Sequence, residues 1–262
     1  MRSEIRVMIV EEDSFAIQWM AQLLARDWRT QVICETGNLP EAVNFLQNIR
    51  GPLDLVLLDG DFATPDLFSK ICAALKDHPK TKVLVVGNIP APEVWKAVCD
   101  EPCVVGYVIK AEIRYSLAWA ADFATDGHWV ATPGVREIVY EQCSRLPADS
   151  LVLDGRHPIH NFTGREAEAA RLALIFSMGR HDMSDELSIG DEWSYGLVGA
   201  IYKKLGFEDT QFIEHDLVAY FGNHPILLER AQSILQKLRY SKKAKDMEAL
   251  AFHLLTRPDI LY

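Results

Sequence analysis

The sequence predicts two folded parts: an α/β domain built on a five-stranded, doubly wound parallel sheet, then an all-α domain with a helical C-terminal extension. Three observations predict this. Five short apolar runs alternate with helical patterns through the first half, and right-handed crossovers turn that alternation into a parallel sheet with helices on both faces. The second half reads as successive helices, each break marked by Gly or an acidic N-cap. A chain of 262 residues, 49% hydrophobic, has the length for two ordinary domains.

The apolar runs are "IRVMIV", "QVICE", "LDLVLLD", "KVLVVG" and "VVGYVIK". Between them, "SFAIQWMAQLLARD" carries apolar residues at helical spacing behind Ser14, an expected N-cap. Helices also fit "LPEAVNFLQNI", "PDLFSKICAALK", "PEVWKAV" and "IRYSLAWAADFA". This places an α/β domain over residues 1–130. Prolines and glycines around the short helical pattern "VREIVYEQC" read as a linker over 131–160. Helical patterns at "FTGREAEAARLALIFSM", "MSDELSI" and "WSYGLVGAIYKKLG" give a second domain over 161–215, and 216–262 reads as a helical extension. There are no internal repeats or low-complexity tracts.

The formal charge of −10 weighs against wholesale attraction to nucleic acid or anionic membrane. No window reaches the roughly 18 apolar residues of a membrane span, and the amino terminus does not resemble a signal peptide, so a soluble, cytoplasmic protein is expected. Five scattered cysteines, Cys34, Cys72, Cys99, Cys103 and Cys143, lack the spacing of a zinc site and suit buried thiols in a reducing compartment. His157 and His160 lie three apart without further ligands nearby. No Walker, "GxSxG" or dinucleotide motif is present, so a conventional enzyme is not expected.

Ligands of an open parallel sheet sit outside the carboxyl ends of its strands. Those ends present Glu11 and Glu12, then Asp59, then Gly87 and Asn88, and finally Lys110. Carboxylates gathered in this number repel one another unless a cation joins them, and hard oxygen donors suit Mg²⁺, so Glu11, Glu12, Asp59 and Asp61 are candidate ligands. A lysine beside them balances an incoming phosphoryl group. The chemistry implied is phosphoryl transfer to an aspartate.

On these residues, 5–126 resembles the receiver domain of two-component response regulators. The resemblance implies that Asp59 is the phosphoacceptor, Lys110 the lysine that contacts the phosphoryl group, Glu11 and Glu12 the acid pair, and Tyr107 the switch aromatic. It also implies a sensor histidine kinase as partner and Mg²⁺ as cofactor. Four positions depart from the family pattern, the smallest departure being Ala111, where many members have proline after the lysine. Glu replaces the usual Asp in the acid pair, and Gly87 stands where the family ends its fourth strand on a hydroxyl residue.

The stretch from Phe162 to Asp209 resembles the LuxR/NarL-type helix-turn-helix domain, with "FTGRE" at its start and "IYKKLGFED" at its close. "MSDELSI" falls on the scaffold helix and turn, "WSYGLVGAIYKKL" on the recognition helix, and one extra residue near Phe176 is needed to align the halves. The resemblance implies duplex DNA as partner, homodimerisation, backbone contacts from Arg180, Lys203 and Lys204, and base contacts from Ser194 or Tyr195. The charge runs the other way: residues 160–215 hold five basic against ten acidic side chains, a net of −5. Trp193, Tyr195, Gly196 and Gly199 also suit a protein-contact face, or Trp193 and Tyr195 belong to the core. "KLRYSKKAK" is the most basic window of the chain.

The expectation from sequence is an atypical response regulator that controls transcription through its helix-turn-helix, with Asp59 accepting a phosphoryl group or held in one state without it. The alternative is a phosphorylation-independent adaptor whose degenerate helix-turn-helix binds a protein.

Overall fold

A computed structural model describes residues 4–61, 65–141, 146–156, 162–208, 211–212, 221–222, 224–238 and 244–261. The chain divides into two compact units, Met1–Arg156 with Pro258–Tyr262, and His157–Arg257.

In the first unit the five apolar runs form strands β1 (Ile5–Val10), β2 (Thr30–Thr36), β3 (Leu55–Asp59), β4 (Lys82–Gly87) and β5 (Val104–Ile109). They lie parallel in the order β2-β1-β3-β4-β5, the doubly wound arrangement expected. Helices α1 (Ser14–Arg26), α2 (Leu39–Asn48), α3 (Pro65–Ala74) and α4 (Pro92–Asp100) make the crossovers. The cap of α1 is Asp13 rather than Ser14: its carboxylate accepts a hydrogen bond from the Phe15 amide at 2.9 Å. β1 and β3 are apolar on both faces because helices cover both, and Val7, Met8, Ile9, Leu55, Val56 and Leu58 are fully buried.

After β5, a single turn α5 (Lys110–Ile113) leads to α6 (Leu117–Thr125). A buried ion-pair triad fastens α6 to the start of β2: Arg29 lies 2.7 Å from Asp27 and 3.0 Å from Asp122, with its guanidinium over the Trp119 ring. Burial pulls the Arg29 pKa down, but Asp27 and Asp122 outweigh it, so the charge is retained and paired as burial requires.

The expected linker, 131–160, falls mostly within this unit, which runs to Arg156. Strand β6 (Trp129–Ala131), helix α7 (Pro133–Glu141) and strand β7 (Ser150–Asp154) continue the parallel sheet beyond β5. The reason is a clamp at Glu112, whose carboxylate accepts from the Gly134 amide at 2.9 Å and from Arg156 Nη1 at 2.9 Å. Leu151, Val152 and Leu153 are buried in the added strand.

The second unit opens with α8 (Gly164–Ala170), started by a capping box in which Thr163 and Glu166 satisfy each other's backbone amides. It runs into a π-helical turn over Arg171–Ile175, closed by the Phe176 amide on the Arg171 carbonyl at 3.0 Å. Helices α9 (Arg180–Glu186) and α10 (Asp191–Lys204) follow, and α10 packs on α8 and α9. A two-stranded ribbon, β8 (Phe207–Glu208) with β9 (Gln211–Phe212), comes next, then α11 (Pro225–Leu238) and α12 (Ala244–Thr256). Both late helices belong to the same compact unit as α8 to α10. Among the described residues, no helix is long and apolar enough to cross a membrane.

The chain then returns to the first unit. β10 (Asp259–Leu261) pairs antiparallel with β7 and completes an eight-stranded sheet in the order β10-β7-β6-β5-β4-β3-β1-β2. The extension expected to be helical therefore ends as a strand.

Candidate functional site

Each strand end that the sequence marks with a charge opens on one edge of the sheet. The backbone leaves β1 at Glu11, which is 1% exposed, and β3 ends on Asp59, 4% exposed. Lys110 follows β5 and reaches both: its ammonium lies 2.8 Å from Glu11 Oε2, 3.1 Å from Asp59 Oδ1 and 3.7 Å from Asp61 Oδ2. Burial pulls the Lys110 pKa down, yet Glu11 and Asp59 hold it above its ordinary value. Burial pushes the Glu11 carboxyl up, and Lys110 and the Asp13 amide only partly offset it. The Asp13 amide donates to Glu11 Oε1 at 3.1 Å, which aims Oε2 at the lysine.

Glu12 is the exception among the expected ligands. It is exposed beside Glu11, because adjacent residues leaving a strand point to opposite sides. No three of Glu11, Glu12, Asp59 and Asp61 bring oxygens within 4.8 Å of one another. The Lys110 ammonium stands where a shared cation would neutralise them.

The switch positions are joined by packing. Tyr107 is fully buried, and its hydroxyl donates to the Asn88 carbonyl at 2.8 Å. A Cβ on Gly87 would lie 2.5 Å from that hydroxyl and 2.9 Å from Gly60 Cα, and a Cβ on Gly60 would meet the same hydroxyl. Tyr107 thus occupies the space that a side chain at 87 would take. Burial and the charges of Asp61 and Asp59 raise the Tyr107 pKa, keeping the hydroxyl protonated as a donor. Asn88 completes the link to the acidic cluster: its Nδ2 donates to Asp61 Oδ2 at 2.7 Å, and the Asp61 amide donates to Asp59 Oδ1 at 3.1 Å. Neither Gly60 nor the role of Asn88 was read from the sequence; the signal was the pair of glycines, each directly at the end of an apolar run.

In the second unit, α10 presents Trp193 (52% exposed) and Tyr195 (59%) to solvent, so neither is core. Arg180 stacks on Tyr195 at 3.9 Å and Arg165 on Trp193 at 5.5 Å, each measured to the ring centroid. Ser194 is corrected as a base-reading residue: it is fully buried and its hydroxyl donates to the Asp191 carbonyl at 2.7 Å. Lys203 is exposed, while Lys204 is held by Glu166 at 2.7 Å. The Lys204 bond, with the Thr163 amide, lowers the Glu166 pKa to about 2. Most of the basic window "KLRYSKKAK", and His157 and His160, lie outside the described residues.

No family model and no curated protein matches the chain. Among solved structures, the RcsB response regulator of Salmonella typhimurium is 16% identical over 88% of this chain and 100% of its own, with a TM-score of 0.46. The response regulator ChrA of a heme-sensing two-component system is 18% identical over 88% of this chain and 98% of its own, at 0.42. A response regulator from Thermotoga maritima is 23% identical over 47% of this chain and 99% of its own, at 0.41.

Proposed function

We propose that the chain is an atypical response regulator that accepts a phosphoryl group on Asp59 and acts in transcriptional regulation through the helix-turn-helix of α8 to α10. The observation that carries this reading is the contact of Lys110 with Asp59 at 3.1 Å, on the edge of a parallel sheet where ligands bind. Asp59 Oδ attacks the phosphorus of a phosphohistidine on a sensor kinase. The P–N bond breaks, the histidine leaves, and Lys110 balances the charge of the acyl phosphate. Glu11, Asp59 and Asp61 are hard oxygen donors, and the buried Glu11 Oε2 and Asp59 Oδ1 meet the Lys110 ammonium at 2.8 and 3.1 Å. No three of these oxygens converge, so Mg²⁺ would be held by one or two of the carboxylates with water completing its shell, and it would supply charge neutralisation there. Homodimerisation on a two-fold DNA site belongs to the same reading.

A second reading is supported by the exposed, arginine-stacked Trp193 and Tyr195 on a unit of net negative charge: this face binds a protein. One experiment separates the two. The full-length protein is offered a pool of duplex genomic fragments at low and moderate salt, with and without a phosphoryl mimic. Selective, salt-sensitive enrichment supports the DNA reading, and none in any condition supports the protein partner. Asp59→Asn is expected to abolish Mg²⁺-dependent labelling by a small phosphodonor. Labelling that persists would place the acceptor elsewhere.

A further inference from the structure

Cys103 immediately precedes β5, at the end of the strand away from Lys110, and Cys72 lies in α3. Their sulfurs are 2.6 Å apart, with both cysteines free and half-buried. They open on a cavity of about 290 Å³ lined also by Glu101, Lys76, His78 and Lys82, large enough for a small oxidant to enter.

The sulfurs and a Glu101 oxygen lie within 4.8 Å of one another, a grouping that raises the choice between metal and covalent chemistry. Two thiolates on one tetrahedral zinc, with Zn–S bonds of about 2.3 Å, stand roughly 3.8 Å apart. The observed pair is much closer, within reach of a direct bond after a small side-chain rotation. The two thiols are also unequal. The hydrogen bond from Cys72 lowers the Cys103 pKa against the effect of burial, with Lys82 adding to the lowering. The same pairing, burial and Glu101 raise Cys72. The pairing thus favours ionisation of Cys103 over Cys72, the inequality that suits an attacked and a resolving cysteine. Cys34 and Cys99 have their pKa values raised chiefly by burial and lack such a partner thiol among the described residues.

We propose that Cys72 and Cys103 form an oxidation site at which a hydroperoxide produces a reversible intramolecular disulfide. The Cys103 thiolate attacks the peroxide, the O–O bond breaks, and Cys103 becomes a sulfenic acid while the distal oxygen leaves as hydroxide or alkoxide. The Cys72 sulfur then displaces the sulfenic oxygen, its proton leaving with that oxygen as water. Two electrons pass from the sulfurs to the peroxide. The bond ties α3 to the segment entering β5, the strand that carries Tyr107 and precedes Lys110. The site is independent of whether Asp59 is phosphorylated.

The test treats the reduced full-length protein with equimolar hydrogen peroxide and follows intact mass, free thiols and disulfide-linked peptides. The expected result is loss of two hydrogens' mass and of two titratable thiols, a single linked peptide pair joining Cys72 to Cys103, and full recovery with a dithiol reductant. In Cys72→Ser, the expected product is a Cys103 sulfenic acid captured by dimedone, with no bridge. Unchanged thiols in the metal-free protein, a bridge to another cysteine, or stoichiometric zinc that both cysteines retain would overturn the proposal. If Cys72→Ser does not fold, the peptide map of the unaltered protein decides alone.

Discussion

Tyr107 and the glycines beneath it make a lock whose parts can be removed one at a time. Gly87→Ala would set a Cβ 2.5 Å from the Tyr107 hydroxyl and 2.9 Å from Gly60 Cα, an overpacking expected to cost about 1–3 kcal/mol. Tyr107→Phe removes the hydroxyl that donates to the Asn88 carbonyl and is expected to cost about 1 kcal/mol. It also deletes the atom that Gly87→Ala meets first, so the double variant should be more stable than the sum of the single losses. Urea unfolding of the four proteins checks this, and strict additivity would show that Tyr107 is not what the glycine accommodates. Glu11 offers a pH test. Its folded pKa is raised, so native protein binds the extra proton, and the stabilising effect present below the unfolded pKa is lost as pH rises through the folded value. Glu11→Gln should therefore gain stability relative to the parent as pH rises above the ordinary value of 4.5, then level off once the raised folded pKa is passed. A stability difference flat in pH would mean that Glu11 titrates normally.

The long helix α10 is the element whose sequence is hardest to justify by folding alone. A Cβ on Gly196 or Gly199 would meet nothing within 4 Å, so either can become alanine without a clash. Each substitution should raise the stability of the second unit by about 1 kcal/mol, since a mid-helix glycine costs that much relative to alanine. If these glycines let a partner backbone approach, the same variants bind that partner more weakly while unfolding at higher denaturant. Failure to stabilise would mean that the helix ends or bends at these positions in solution. Elements of this length were readable: β1 to β5 announced themselves as apolar runs, and Glu11, Asp59 and Lys110 were legible as site residues because each closes such a run. The short pieces were not. β6 and β10 have three residues each, too few for any periodicity, and β7 sits in a stretch whose prolines and glycines read as a linker. Likewise, the burial of Ser194 and the exposure of Glu12 depend on how a helix rotates and which way a strand end turns, which tertiary packing decides.

The path of the chain makes the first unit depend on residues at both ends of the sequence. The sheet is left at Arg156 and rejoined at Pro258, with the whole second unit inserted between. β10 then covers β7 through pairs from Asp259–Asp154 to Leu261–Val152. Without it, β7 becomes an open edge with unpaired backbone amides and carbonyls, the template for intermolecular pairing. Truncating the chain after Arg257 is therefore expected to destabilise the first unit by about 1–3 kcal/mol, a few hydrogen bonds' worth, and to promote self-association. Equilibrium unfolding followed by signals from Trp95 and Trp129, which meet edge to face in this unit at 5.9 Å, would register the loss. Sedimentation would register the association. A peptide of residues 257–262 supplied in excess should restore stability by mass action, increasing with its concentration. The Glu112 clamp on Gly134 and Arg156 lies just beyond Lys110 in sequence, so the strands added to the sheet are anchored beside the lysine that reaches Asp59. If the truncated chain unfolds at the same denaturant concentration as the parent and stays monomeric, β10 is only a tether, and the clamp alone secures β7 against the sheet.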